Sequence, residues 1–128
     1  MLNIEFNTSI IPKQPPEYYY GNKEYKISLD LNKFKHIKKQ KNKILDKRAS
    51  QMLFRLIEGD GKAVYLIGVN DNGEAPGIKF NELLISLFYI CKIVKLIDAN
   101  IKIIRIYNGS DGYIATIRIT KNIILNLL

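Results

Sequence analysis

Apolar and polar positions alternate between residues 24 and 31, with Tyr25, Ile27, Leu29 and Leu31 on one side and Lys26, Ser28 and Asp30 on the other. A period of two predicts a half-buried strand. From Ile44 the spacing changes to three and four, through Leu45, Ala49, Met52, Leu53, Leu56 and Ile57. That predicts a helix over 44–58, and Gly59 and Gly61 stand where a helix stops. Residues 62–70 are nearly all apolar, as in a strand covered on both faces. Asp71-Asn72-Gly73 suits a tight turn, after which 74–78 pairs back as a short strand that Pro76 confines to an edge or bulge. A second helix follows over 80–98, its stripe made by Leu83, Leu84, Leu87, Cys91, Val94 and Ile97. Residues 101–107 and 113–120 then form a hairpin around Asn108-Gly109-Ser110-Asp111-Gly112.

The flanks carry less pattern. Residues 1–23 read as an extended tail, because Pro12, Pro15 and Pro16 oppose helix and regular strand pairing and Gly21-Asn22 reads as a turn. Tyr18, Tyr19 and Tyr20 either pack on the body or stay exposed. Residues 24–120 form a single domain, and 121–128 is an apolar extension or the start of a further domain. The order β-α-β-β-α-β-β defines an α+β, two-layer sandwich. Two helices on one face of a mixed four- to five-stranded sheet bury both apolar stripes.

A chain of 128 residues fits one domain with an ordinary core. The single cysteine, Cys91, excludes an internal disulfide framework and suits a reducing, cytoplasmic setting. No secretory signal is visible at the start. The longest apolar run, 80–97, carries Glu82, Lys92 and Lys95, so it reads as a core helix and no membrane partner is expected. Formal net charge is +8. Ile, Lys and Asn fill more than a third of the chain, a bias typical of AT-rich coding sequence, which lowers the weight of that charge as a sign of function.

Catalytic chemistry is sparse. One histidine and one cysteine, far apart, make no nucleophile pair, and the ligands of a structural zinc site are missing. Neither glycine-loop route to a nucleotide is present. Three carboxylates remain: Glu24, beside Lys26 on the first strand, Asp71 at the end of an apolar strand, and Glu17. If those strands adjoin, the three could hold a divalent cation that activates water for phosphodiester cleavage, with Lys26 steadying the leaving phosphate. The plainer reading makes Glu24–Lys26 a surface pair and Asp71 a turn residue. The strongest physical signal is basic: Lys33, Lys35, Lys38, Lys39, Lys41, Lys43, Lys47 and Arg48, with His36 among them. Charges this close repel one another and become favourable against phosphates, where counterion release drives affinity. The expected partner is therefore a polyanion, with no base specificity implied, since RNP-type aromatic motifs are absent.

Two stretches carry a family resemblance. Pro15-Pro16-Glu17, Gly21-Asn22 and Glu24-Tyr25-Lys26 form the first. The second runs through Gln51-Met52, Arg55-Leu56, Glu58-Gly59, Gly61, Ala63-Val64-Tyr65, Ile67-Gly68-Val69 and Asp71-Asn72-Gly73. Together they resemble the N-terminal domain of the GTP-binding protein 1 and 2 family, elongation-factor-like translational GTPases. The resemblance implies an accessory domain that binds tRNA, rRNA or the ribosome and does not itself catalyse. GTP and Mg²⁺ would belong to a GTPase domain of the same protein, so no cofactor is expected here. A fainter similarity, in residues 67–73 with Gly77-Ile78 and Glu24-Tyr25-Lys26, points to schlafen-type AlbA-like domains. It implies the alternative of a metal-dependent ribonuclease acting on tRNA through Glu17, Glu24 and Asp71.

Overall fold

The computed structural model describes residues 2–34 and 37–123. In chain order the elements are β1 (Ile4–Ile10), β2 (Lys23–Lys26), a 3-10 turn (Asn32–Phe34), α1 (Lys38–Glu58), β3 (Lys62–Ile67), α2 (Phe80–Leu96), β4 (Asn100–Asn108) and β5 (Tyr113–Thr120). The five strands form one sheet in the order β1-β4-β5-β3-β2. Pairing is parallel at the two outer ladders, β1 with β4 and β2 with β3, and antiparallel between β4 and β5 and between β5 and β3. This is the expected two-layer α+β class with an open mixed sheet.

One core joins both helices to one face of the sheet. Leu45, Met52 and Leu56 of α1 meet Leu83, Leu87, Ile90 and Ile93 of α2 over Tyr65, Ile67, Ile104, Ile117 and Ile119. A smaller core of Tyr25, Leu66, Val69, Ala75 and Ile114 lies on the opposite face, with Ile11 packed against it. Residues 11–17 help close that face. The Ile11 amide donates to the Asn108 carbonyl, and those of Gln14 and Glu17 donate to the carbonyls of Gly73 and Asp71. Gly73 has φ of +94°, and a Cβ there would lie 1.9 Å from the Gln14 carbonyl oxygen, so the close approach requires glycine.

Five expectations need correction. The first segment, expected to lack regular pairing, contributes β1, a strand with all seven residues exposed at the sheet edge. It was illegible because an edge strand covered by no helix carries no buried alternation. The strand expected over 24–31 ends at Lys26. Beyond it Ile27 is exposed, whereas Leu29 and Leu31 drop into the helix layer, the Leu29 amide donating to Ser86 Oγ at 2.9 Å. The strand expected over 74–78 is a tight return held by the Asn70 amide on the Glu74 carbonyl and the Gly77 amide on the Gly68 carbonyl. Pro76 has no amide hydrogen and Gly77 has φ of +83°, so only the single bridge Ile78–Tyr113 forms. Helix α1 starts at Lys38, six residues before the expected Ile44. On α2, Leu84 is exposed and Tyr89, Ile90 and Ile93 are buried. The extension over 121–128 falls, after Ile123, outside the described residues. No helix among the described residues is long and apolar enough to cross a membrane.

Candidate functional site: a basic helix above a buried ion pair

The basic residues fall on two sides of α1. Lys38, Lys39, Lys43 and Lys47 are exposed. Lys39, Lys43 and Lys47 recur at i, i+4 and i+8, opposite the buried Leu45, Met52 and Leu56, so they form one solvent-facing stripe. Lys41 turns toward the body and lies 5.2 Å from the ring centre of Tyr89. Arg48 is half-buried beside the buried Tyr65, whose phenol is pushed well above its ordinary range by burial first and the Glu24 charge next. Lys33 lies in the 3-10 turn, while Lys35 and His36 fall outside the described residues. Ile37, the N-cap position of α1, makes no side-chain cap hydrogen bond, and the first turn holds no acidic residue. Lysines at the positive end of the helix dipole are unfavourable for the helix itself.

Below the other half of α1 sits an ion pair that sequence reasoning did not single out. Glu24 is 1 % exposed, against the expectation of a surface pair. Both faces of β2 are covered, so alternation there separates two buried sides rather than inside from outside. Arg55 Nε donates to Glu24 Oε1 at 2.9 Å, and Lys26 Nζ lies 3.2 Å from Glu24 Oε2. The remaining guanidinium nitrogens of Arg55 donate to the Gly21 and Tyr18 carbonyls at 2.9 and 2.8 Å. One side chain thus fixes β2 and residues 18–21 to α1. A signal existed: Arg55 falls inside the apolar stripe between Met52 and Leu56, where a charge needs a buried partner.

Glu17, Glu24 and Asp71 do come near one another. The Glu17 amide donates to the Asp71 carbonyl at 2.7 Å, and the Glu17 carboxylate accepts the Tyr25 amide. Burial raises the Glu17 carboxyl above its ordinary 4.5; the Tyr25 hydrogen bond opposes this, and repulsion from Glu24 and Asp71 adds to it. Electrostatic reach exceeds coordination distance, and each Glu24 oxygen already faces a cation. Among the described residues no group of three or more His, Cys, Asp or Glu side chains is placed to hold a metal ion. Cys91 is half-buried and its thiol is raised by burial, with Lys95 opposing.

Fold and surface together define a small two-layer α+β domain with a cationic helix. No family model matches it, and no solved structure matches it significantly. The chain is similar to GTP-binding protein 2 of Mus musculus and of Homo sapiens, 36 % identical to each over 97 residues. The similarity covers 73 % of this chain and 14 % of each relative, and it supports a relationship to GTP-binding proteins 1 and 2.

Proposed function

We propose that this chain is an RNA- or ribosome-binding accessory domain, equivalent to the N-terminal domain of a GTP-binding protein 1 or 2 type translational GTPase, and non-catalytic by itself. It acts in the cytoplasm on tRNA, rRNA or the ribosome, and GTP and Mg²⁺ belong to a separate GTPase domain. The similarity to GTP-binding protein 2 supports the family side of this reading. The observation that carries the RNA side is the exposed lysine stripe at the uncapped start of α1. Lysines there oppose the helix dipole, and phosphate neutralises both charges at once. Lys38, Lys39, Lys43 and Lys47 are the main contacts, with Lys41 and Arg48 at the margins, and the proposal extends to Lys33 and Lys35.

The test replaces Lys38, Lys39, Lys43 and Lys47 with glutamine and measures tRNA affinity and ribosome co-sedimentation across salt. With about −0.7 per contact, four contacts give a slope of about −2.8, so wild-type affinity for a single strand falls roughly fifty-fold from 50 to 200 mM salt. The variant should bind weakly with a much shallower slope. Unchanged affinity and slope would remove the assignment. Cleavage of tRNA in Mn²⁺ that vanishes in Asp71→Ala would replace it with the nuclease reading.

A further inference from the structure

Between β1 and β2 the backbone is held on both sides of three consecutive tyrosines. Ahead of them stand the Gln14 and Glu17 amide bonds to the Gly73 and Asp71 carbonyls, each 2.7 Å. Arg55 holds the Tyr18 and Gly21 carbonyls, and the Gly21 amide donates to Glu58 Oε1 at 3.2 Å. The rings themselves stay in water: Tyr18, Tyr19 and Tyr20 are 59, 86 and 56 % exposed. Tyr18 and Tyr20 stack with centroids 5.5 Å apart and planes 27° apart, and Tyr19 meets Tyr20 edge-on at 5.3 Å. Beside this stack lies a cavity of about 230 Å³, whose lining includes Pro15, Glu17, Tyr18, Tyr20, Lys23 and Tyr25.

We infer that this cavity receives one unpaired base of single-stranded RNA, guanine best, stacked on the Tyr18–Tyr20 pair with its Watson–Crick edge toward Glu17. The inference rests on the polyanion reading above and adds to it a second site on a different part of the surface. Rigid, solvent-exposed aromatic planes suit base stacking, which tolerates any base. Selectivity comes from Glu17. Its Oε2 accepts the Tyr25 amide, and among the described residues nothing donates to Oε1. An ionised carboxylate only accepts hydrogen bonds. Guanine offers it two adjacent N–H groups, whereas adenine and cytosine each place an acceptor beside their single amino group, and uracil flanks its one N–H with carbonyls. A proline-rich peptide fits the aromatic wall less well here, because proline has no N–H for Glu17. Lys23 at the rim and the net charge of +8 favour a phosphate backbone.

The experiment uses the whole chain and labelled dodecamers of uridine carrying one central guanosine, adenosine or uridine, followed by fluorescence anisotropy. Wild type should prefer the guanosine strand over the all-uridine strand by about tenfold, the scale of one hydrogen bond to a charged group. Tyr18→Ala/Tyr20→Ala should abolish that preference without changing the salt slope or the circular dichroism, since Arg55 holds only backbone there. Glu17→Gln should erase the guanosine-over-adenosine preference while adenosine affinity holds. The lysine-to-glutamine variant should weaken every strand and keep the preference, so the two sites fail separately. A guanosine preference that survives in the double tyrosine variant overturns the inference. So does a tyrosine-dependent proline dodecapeptide that binds where RNA shows no tyrosine dependence. Should no strand bind, amide shifts at 18–25 on adding guanosine monophosphate still support the pocket, and their absence rejects it.

Discussion

Arg55 ties three parts of the chain together, and its surroundings set the cost of losing it. It is 3 % exposed and makes bonds to Glu24, Tyr18 and Gly21. Arg55→Met leaves Glu24 buried with only Lys26 facing it; a buried charge left wholly unpaired costs about 3–5 kcal/mol, and Lys26 keeps the expected loss at or below the lower end of that range. Glu24→Leu added to Arg55→Met removes the stranded charge, so stability should recover in part. Full recovery is not expected, because the Tyr18 and Gly21 carbonyls still lack their donor. Urea unfolding of the two single variants and the double variant checks this; simple additivity would mean that the pair is not coupled. Glu24 was legible as chemistry but read as surface, because alternation along one short strand cannot reveal that its second face is also covered. Asp71 was read by the plainer view as a turn residue, and the Asn70-to-Gly73 turn is there: the Gly73 amide donates to the Asn70 carbonyl.

At the scale of elements, legibility follows burial. Helix α2 and the β4–β5 hairpin were readable because core packing imposes their periods, and their observed bounds differ from expectation by a residue or two. The first two turns of α1 were not, since 38–43 holds no apolar residue to mark a face. Those turns are instead a place where stability and the proposed function pull apart. Lys38→Glu/Lys39→Glu puts acidic charge at the helix start, which favours the helix by roughly 0.3–1 kcal/mol per site at low salt. The same change removes two phosphate contacts and adds repulsion. The expected outcome is therefore a higher midpoint of thermal unfolding together with weaker tRNA binding. A variant that is less stable and binds as well as wild type would show that these lysines serve the fold.

For the molecule as a whole, the segment 11–22 closes the second face of the sheet and is bound to α1 by Arg55, so its charge state bears on global stability. Glu17 lies at that junction, and its carboxyl is raised mainly by burial, with Glu24 and Asp71 adding repulsion. A carboxyl raised in the folded state is harder to ionise there than in the unfolded chain. Below the ordinary value of 4.5 it is neutral in both states and contributes nothing to pH dependence. As pH climbs from there through the raised folded value, the folded state holds its proton longer, and stability falls with rising pH. The cost is complete once Glu17 is ionised in both states, and it persists at neutral pH. Glu17→Gln keeps an oxygen acceptor for the Tyr25 amide and has no charge to bury. Wild type and variant should therefore be alike in stability below pH 4.5 and diverge above it, the variant becoming the more stable. Comparing the two by urea unfolding over a pH series cancels the shared loss that growing positive charge imposes on this basic chain in acid. A variant less stable than wild type at neutral pH would mean that the ionised carboxylate holds the segment more firmly than its burial opposes.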